Sequence, residues 1–127
     1  MRMVNNDILF WPFILRLRNE MRNSFLTTEK IPEQDHNKFM DEWGNDYYVC
    51  VNDALQPVGW IGVVNNDIRL AVDKQYQRMG IAKFMLKFVK DKYPQATAKI
   101  LPENIASIKA FKSVGIKAEI IKNVQSS

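Results

Sequence analysis

One cysteine and one histidine in 127 residues set the first limits. Cys50 has no second cysteine to pair with, so no internal disulfide forms, and the lone His36 cannot anchor a multi-histidine metal site. No metal is expected. Long apolar runs are equally scarce. Residues 8–17 are apolar apart from Arg16, but Pro12 interrupts them and they fall short of the roughly 20 residues that span a bilayer. Asp7 precedes that stretch, and no small-residue cleavage site follows before Arg18-Asn19-Glu20, so it resembles a signal segment in length only. Internal repeats and low-complexity linkers are missing too, which leaves a single domain over residues 1–127. These absences point to a soluble protein of a reducing compartment, most simply cytoplasmic, with no membrane partner.

What is present is a globular composition, 46% hydrophobic and 25% charged. A chain of this size buries roughly two thirds of its unfolded surface, enough for one core. The net charge of +4 conceals an asymmetry: residues 1–63 carry 6 basic and 9 acidic side chains, residues 64–127 carry 12 and 5. The second half, at +7, invites an anion, whether nucleic acid, a membrane surface or a phosphorylated cofactor. Nucleic acid ranks last. The basic face at Lys83, Lys87 and Lys90 has no interleaved aromatic platform, and no helix-turn-helix or RRM pattern occurs.

Periodicity gives the elements. Leu9, Phe13, Ile14 and Leu17 have helical spacing over residues 8–18, with Pro12 in the first turn or at a kink. Residues 18–30 read as a polar loop. Pro32 opens a second helix with a His36, Phe39, Met40 and Trp43 stripe, ended at Gly44-Asn45, where Gly44 is free to take a left-handed cap. The period then becomes that of strands, at residues 47–51, 58–64 and 68–72, with Asn65-Asn66-Asp67 as a tight hairpin between the last two. A helix over residues 80–92 follows, with Ile81, Phe84, Met85, Phe88 and Val89 on one face, closed by Pro94. A strand at 97–101, a helix at 104–114 and a short strand at 118–122 complete the chain. The class is α/β: an antiparallel meander followed by a βαβαβ half.

The chemistry concentrates between the third strand and the third helix. A helix N-terminus presents unpaired N–H groups and the positive end of the helix dipole, so it holds an anion where the loop approaches closely. Gly80 and Ala82 permit that approach, and Arg78 and Lys83 add charge. Neither GxxxxGK[ST] nor GxGxxG is present. On spacing alone, a phosphate cradle and an ordinary β–α turn with a solvated basic face are about equally supported.

Gln77-x-x-Gly80-x-Ala82 resembles the Gln/Arg-x-x-Gly-x-Gly/Ala signature of the Gcn5-related N-acetyltransferases, the GNAT superfamily. Asn104-x-x-Ser107-x-x-Ala110-Phe111-x-x-x-Gly115 resembles that superfamily's second block, and the likeness covers about residues 46–122. It implies a mostly antiparallel central sheet flanked by helices and splayed between two parallel strands. It also implies acetyl-CoA as donor. Gln77, Arg78, Met79, Gly80, Ile81, Ala82 and Lys83 would wrap the pyrophosphate, Leu70, Ala71 and Val72 would carry the pantetheine arm, and Asn104, Ser107 and Phe111 would line the CoA channel. Phe111 occupies the position that usually holds a catalytic tyrosine. The chain also stops soon after Lys122, short of a further strand that members often carry.

No base stands out. His36 has a suitable intrinsic pKa but lies on a core stripe, which favours a satisfied, partly buried histidine. Asp67 and Arg69 flank the third strand near the expected cleft, although Asp67 also fits a turn. Asp41 and Glu42 read as solvated, and Cys50 as a small core residue. Around residues 17–39 the sequence is similar to the branch that holds amino-sugar-nucleotide and ribosomal-protein N-terminal acetyltransferases. That likeness implies that Arg18, Asn19 and Arg22 face the acceptor; a plain helix C-terminal charge pair of Arg18 and Arg22 is the other reading. The acceptor is then a primary amine, of a nucleotide-linked amino sugar first and a peptide second, with a catalytically silent CoA-binding module as the alternative. Monomer and homodimer are equally compatible with the sequence.

Overall fold

The structure, a computed structural model, describes residues 1–21, 25 and 29–121. Strands β1 (Arg2–Asn5), β2 (Tyr47–Val51), β3 (Pro57–Val64) and β4 (Asp67–Val72) form an antiparallel sheet in that order. Strands β5 (Ala98–Ile100) and β6 (Ala118–Ile120) form a parallel pair. Helices α1 (Trp11–Glu20) and α2 (Glu33–Trp43) precede β2, α3 (Ile81–Lys92) joins β4 to β5, and α4 (Ile105–Val114) joins β5 to β6.

Alternation along the strands divides the core. Tyr48, Cys50, Ile61 and Ile68 face α3 and α4, where they pack with Ile81, Met85, Leu86, Val89 and Phe111. Tyr47, Val49, Trp60 and Ala71 face α1 and α2, where they pack with Ile14, Leu17 and Met40. Every residue of β2 is therefore buried, although an isolated antiparallel strand would read as half-polar. The Asn65-Asn66 hairpin forms as expected, with φ of +52° and +64°, the left-handed pair that a type I′ turn requires.

Several expectations need correction. β1 was not expected: four residues give too short a pattern for a period of two, and β1 forms by pairing Arg2 through Asn5 with Val51 through Tyr48. Leu9 is 84% exposed, because residues 8–10 form a 3-10 turn that Asp7 caps and so precede α1 proper. α1 runs to Glu20, beyond the expected end at residue 18. Gly44 has φ −60°, so it takes no left-handed cap; the chain continues into a 3-10 turn over Gly44–Asp46, and Asn6 Nδ2 donates to the Gly44 carbonyl at 3.2 Å. Leu86 joins the buried face of α3 in addition to the expected stripe. The last strand is seen over Ala118–Ile120, and its expected end at Lys122 lies outside the described residues.

The two sheets meet at one point. Asp67 and Thr97 form a single parallel bridge, with Ile68 N–H donating to Thr97 O at 2.8 Å and Thr97 N–H to Asn66 O at 2.9 Å. Past it, no further pairing joins β4 to β5 among the described residues. The splay between parallel strands is real.

Candidate active site

The splay opens onto a cavity of about 550 Å³. Its walls come from both halves of the chain. Ile14 and Arg18 of α1, His36, Phe39 and Met40 of α2, and Tyr47 and Trp60 of the sheet form one side. Asp67, Arg69 and Leu70 of β4 with Asn104, Ser107 and Phe111 of the β5–α4 segment form the other. Of the residues singled out in the sequence, Arg18 on the acceptor side and Leu70, Asn104, Ser107 and Phe111 on the donor side share this space, whereas Ala71 and Val72 do not line it.

Asn104 caps α4 by accepting from Ser107 N–H at 3.3 Å, which fixes both residues at the helix start. Phe111, one turn on, is 2% exposed and brings no exchangeable proton to the wall. His36 is buried, and its Nε2 lies 2.9 Å from the Trp11 carbonyl oxygen. A carbonyl can only accept, so Nε2 carries the proton and, in the neutral ring, Nδ1 holds the lone pair. Burial, partly countered by that carbonyl, lowers the ring's pKa, so the imidazole is neutral at pH 7. Asp67 is more than a turn residue: it opens β4 and accepts from Arg69 Nη2 at 2.8 Å.

An aromatic surface that sequence reasoning missed floors the cavity. Tyr47 pairs with Gly62, and a Cβ at Gly62 would meet the Tyr47 ring at 2.5 Å. Only glycine lets that ring lie flat across β3 towards Arg69, the partner of Gly62 on β4. Burial pushes the Tyr47 hydroxyl up to about 12, even against the opposing pull of Arg69 and Arg18, so it remains a donor. Trp60 stacks at 5.6 Å on Tyr47 and at 6.0 Å on Phe25, and Arg18 sits 4.3 Å above the Phe25 ring. The one legible signal was the pair of small residues around Trp60 in Gly59-Trp60-Ile61-Gly62.

Asn19 points elsewhere. Its side chain clamps the chain ahead of α2, accepting from Ile31 N–H at 2.8 Å and donating to Ile31 O at 3.0 Å. It lines a smaller groove with Arg16 and Glu33, separate from the main cavity. Arg22 lies outside the described residues.

Residues 77–83 also lie outside the cavity lining, at the start of α3. The helical ladder begins with Phe84 N–H to Gly80 O at 3.0 Å, so the amides of Ile81, Ala82 and Lys83 have no intrahelical acceptor. Gly80 has φ +79° and Arg78 φ +67°, and a Cβ at Gly80 would meet no atom within 4 Å. Free amides around open space, beside Arg78 and Lys83, suit a diphosphate. The loop is pinned from beneath by Asp73, which accepts from Gln75 N–H at 3.3 Å and from Arg16 Nη2 of α1 at 3.0 Å. Nothing in the sequence announced that tie.

The sequence profile of the acetyltransferase (GNAT) family matches residues 11–116. Against the curated proteins the sequence finds no match. Among solved structures, the chain is similar to a ribosomal-protein-alanine N-acetyltransferase from Brucella melitensis, with TM-score 0.80, 15% identity and 91% of this chain and 83% of that chain covered. It is similar to a GNAT superfamily phosphinothricin acetyltransferase from Sinorhizobium meliloti in complex with AcCoA, with TM-score 0.78, 12% identity and coverage of 90% and 73%. A spermidine N-acetyltransferase from Vibrio cholerae, in complex with CoA and spermine, gives TM-score 0.74, 13% identity and coverage of 90% and 79%. At these identities the solved structures speak for the fold, and the profile, spanning both motifs, speaks for the family. The chain belongs to the GNAT family, the acetyl-CoA-dependent N-acetyltransferases.

Proposed function

We propose that this enzyme acetylates a primary amine borne by an anionic or polyhydroxyl acceptor, with a nucleotide-linked amino sugar first among candidates. The observation that carries the reading is the shared cavity, in which α4 residues of the donor-side motif face His36, Arg18 and Arg69. Burial first, and then the nearby guanidinium of Arg69, lower the proton affinity of Arg18, which favours an acceptor that brings negative charge.

In this reading, acetyl-CoA supplies a thioester whose C–S bond breaks as the amine nitrogen bonds to the carbonyl carbon. The amides of Ile81, Ala82 and Lys83, with Gln77, Arg78, Met79 and Gly80, hold the diphosphate at the N-terminus of α3. Leu70, Ala71 and Val72 offer the edge of β4 along which the pantetheine arm lies, and Asn104, Ser107 and Phe111 border the reacting end. The amine must shed a proton as it bonds, and the Nδ1 lone pair of neutral His36 receives it. Phe111 cannot protonate the departing thiolate, so water does. A thiolate is a tolerable leaving group near neutral pH, since thiols ionise at about 8.5.

Phe111 favours one second reading, a silent CoA-binding module. Calorimetric titration with acetyl-CoA, followed by thiol release over sugar-nucleotide and peptide amines, separates the two. Binding with turnover is expected. Binding without turnover on any amine selects the silent module.

A further inference from the structure

Two buried donors on the α1/α2 face of the sheet have no hydrogen-bond partner among the described residues. Trp60 is 1% exposed, and its indole Nε1–H finds no acceptor among the described residues. Arg69 Nε–H is buried and likewise unmatched among them. Buried N–H groups nearly always find partners, because losing water without replacing it is costly. Both residues line the cavity.

The register brings the two together. Arg69 pairs with Gly62 and Ala71 with Trp60, so Arg69 and Trp60 stand on one face in neighbouring rows. Asp67 takes the Nη2 of Arg69 and the Tyr47 hydroxyl lies against the same guanidinium, which holds it in place while its Nε atom keeps no partner among the described residues. Tyr47 and Phe25 wall the space with aromatic rings, which keeps the local dielectric low and strengthens any charge-assisted hydrogen bond formed there. The cavity is lined by the cations Arg18, Lys30, Arg69 and Lys99. They outnumber the carboxylates Glu29, Asp35 and Asp67.

We propose that Trp60 Nε1–H and Arg69 Nε–H form an oxyanion subsite, which docks a carboxylate or phosphate of the acceptor on the floor of the cavity. The inference rests on the acceptor reading above and sharpens it: the anion is gripped on the sheet, at a defined pair of donors, and the amine is aimed from there.

The test uses the full chain and matched amines: L-alanine against L-alaninamide for a carboxylate, and glucosamine 6-phosphate against glucosamine for a phosphate. At least one anionic member is expected to be preferred by about tenfold or more in kcat/KM, the usual worth of a charge-assisted hydrogen bond. Which pair shows the preference identifies the group. W60F keeps the ring and removes the donor, and should shrink that preference about tenfold through KM rather than kcat. Equal use of anionic and neutral amines overturns the subsite while leaving amine acetylation intact. If no amine is acetylated, the acceptor reading falls first, and the indole resonance decides the subsite. The Trp60 indole N–H signal, one of three, should shift on titration with acetate or inorganic phosphate. It is assigned by its loss in W60F or, should that variant not fold, by elimination with W11F and W43F. A stationary signal overturns the proposal.

Discussion

His36 couples burial to stability and, in the proposed mechanism, to proton transfer. Its pKa is lowered in the folded chain, chiefly by burial, whereas the unfolded chain titrates near 6.5. Below that pH the unfolded state binds the proton and the folded state resists it, so stability is complete above about 6.5 and is lost as pH falls towards the folded value. Urea denaturation between pH 5 and 8 should show this acid-side loss, and His36→Gln should flatten it. The same variant should cut kcat by about a hundredfold, the lower end for loss of a general base. Retained kcat would assign proton removal to another group. Gly62 is the second decisive position. Gly62→Ala puts a methyl into the Tyr47 ring, which must move off the sheet. A loss of about 1–3 kcal/mol, as for overpacked cores, is expected by urea denaturation.

At the scale of elements, the start of α3 separates binding from folding. A Cβ at Gly80 would meet no atom within 4 Å, so the positive φ is the source of strain that the backbone shows there. Gly80→Glu should therefore cost only about 1–2 kcal/mol of stability. It should nevertheless abolish acetyl-CoA binding by calorimetry, because the carboxylate fills the cradle with like charge. Unchanged affinity would relocate the diphosphate. The helix itself was legible from its stripe, whereas Gln77-x-x-Gly80-x-Ala82 drew notice through its family likeness, since spacing alone left a cradle and an ordinary turn equal. The other helices with 3.6-residue stripes were legible for the same reason as α3: the period is local. β1 was not, because its four residues become a strand only by lying against β2. The aromatic floor was hidden too. Tyr47, Trp60 and Arg69 are distant in sequence and meet through register, and the Arg16–Asp73 tie spans 57 residues.

At the scale of the molecule, the charge asymmetry now has a geometry. The surplus of the second half includes Arg78 and Lys83 at the proposed diphosphate cradle and Lys87 and Lys90 further along α3. Acetyl-CoA binding should weaken as ionic strength rises from 0.05 to 0.5 M, where screening shortens from about 14 to about 4 Å. A salt-independent Kd would remove charge as a determinant of affinity. Lys109, Lys112 and Lys117, on and just after α4, are exposed.

The lone Asp67–Thr97 bridge has one more consequence. A sheet that is fastened at a single rung and open beyond it is an unfinished piece of architecture, and whatever enters the gap acts as a keystone. By mass action, a ligand that binds the folded protein and not the unfolded chain raises the melting temperature with the logarithm of its concentration, contributing about 2.7 kcal/mol at a hundred times Kd. If acetyl-CoA is the ligand that fills that gap, the melting temperature of the purified protein should rise with acetyl-CoA concentration.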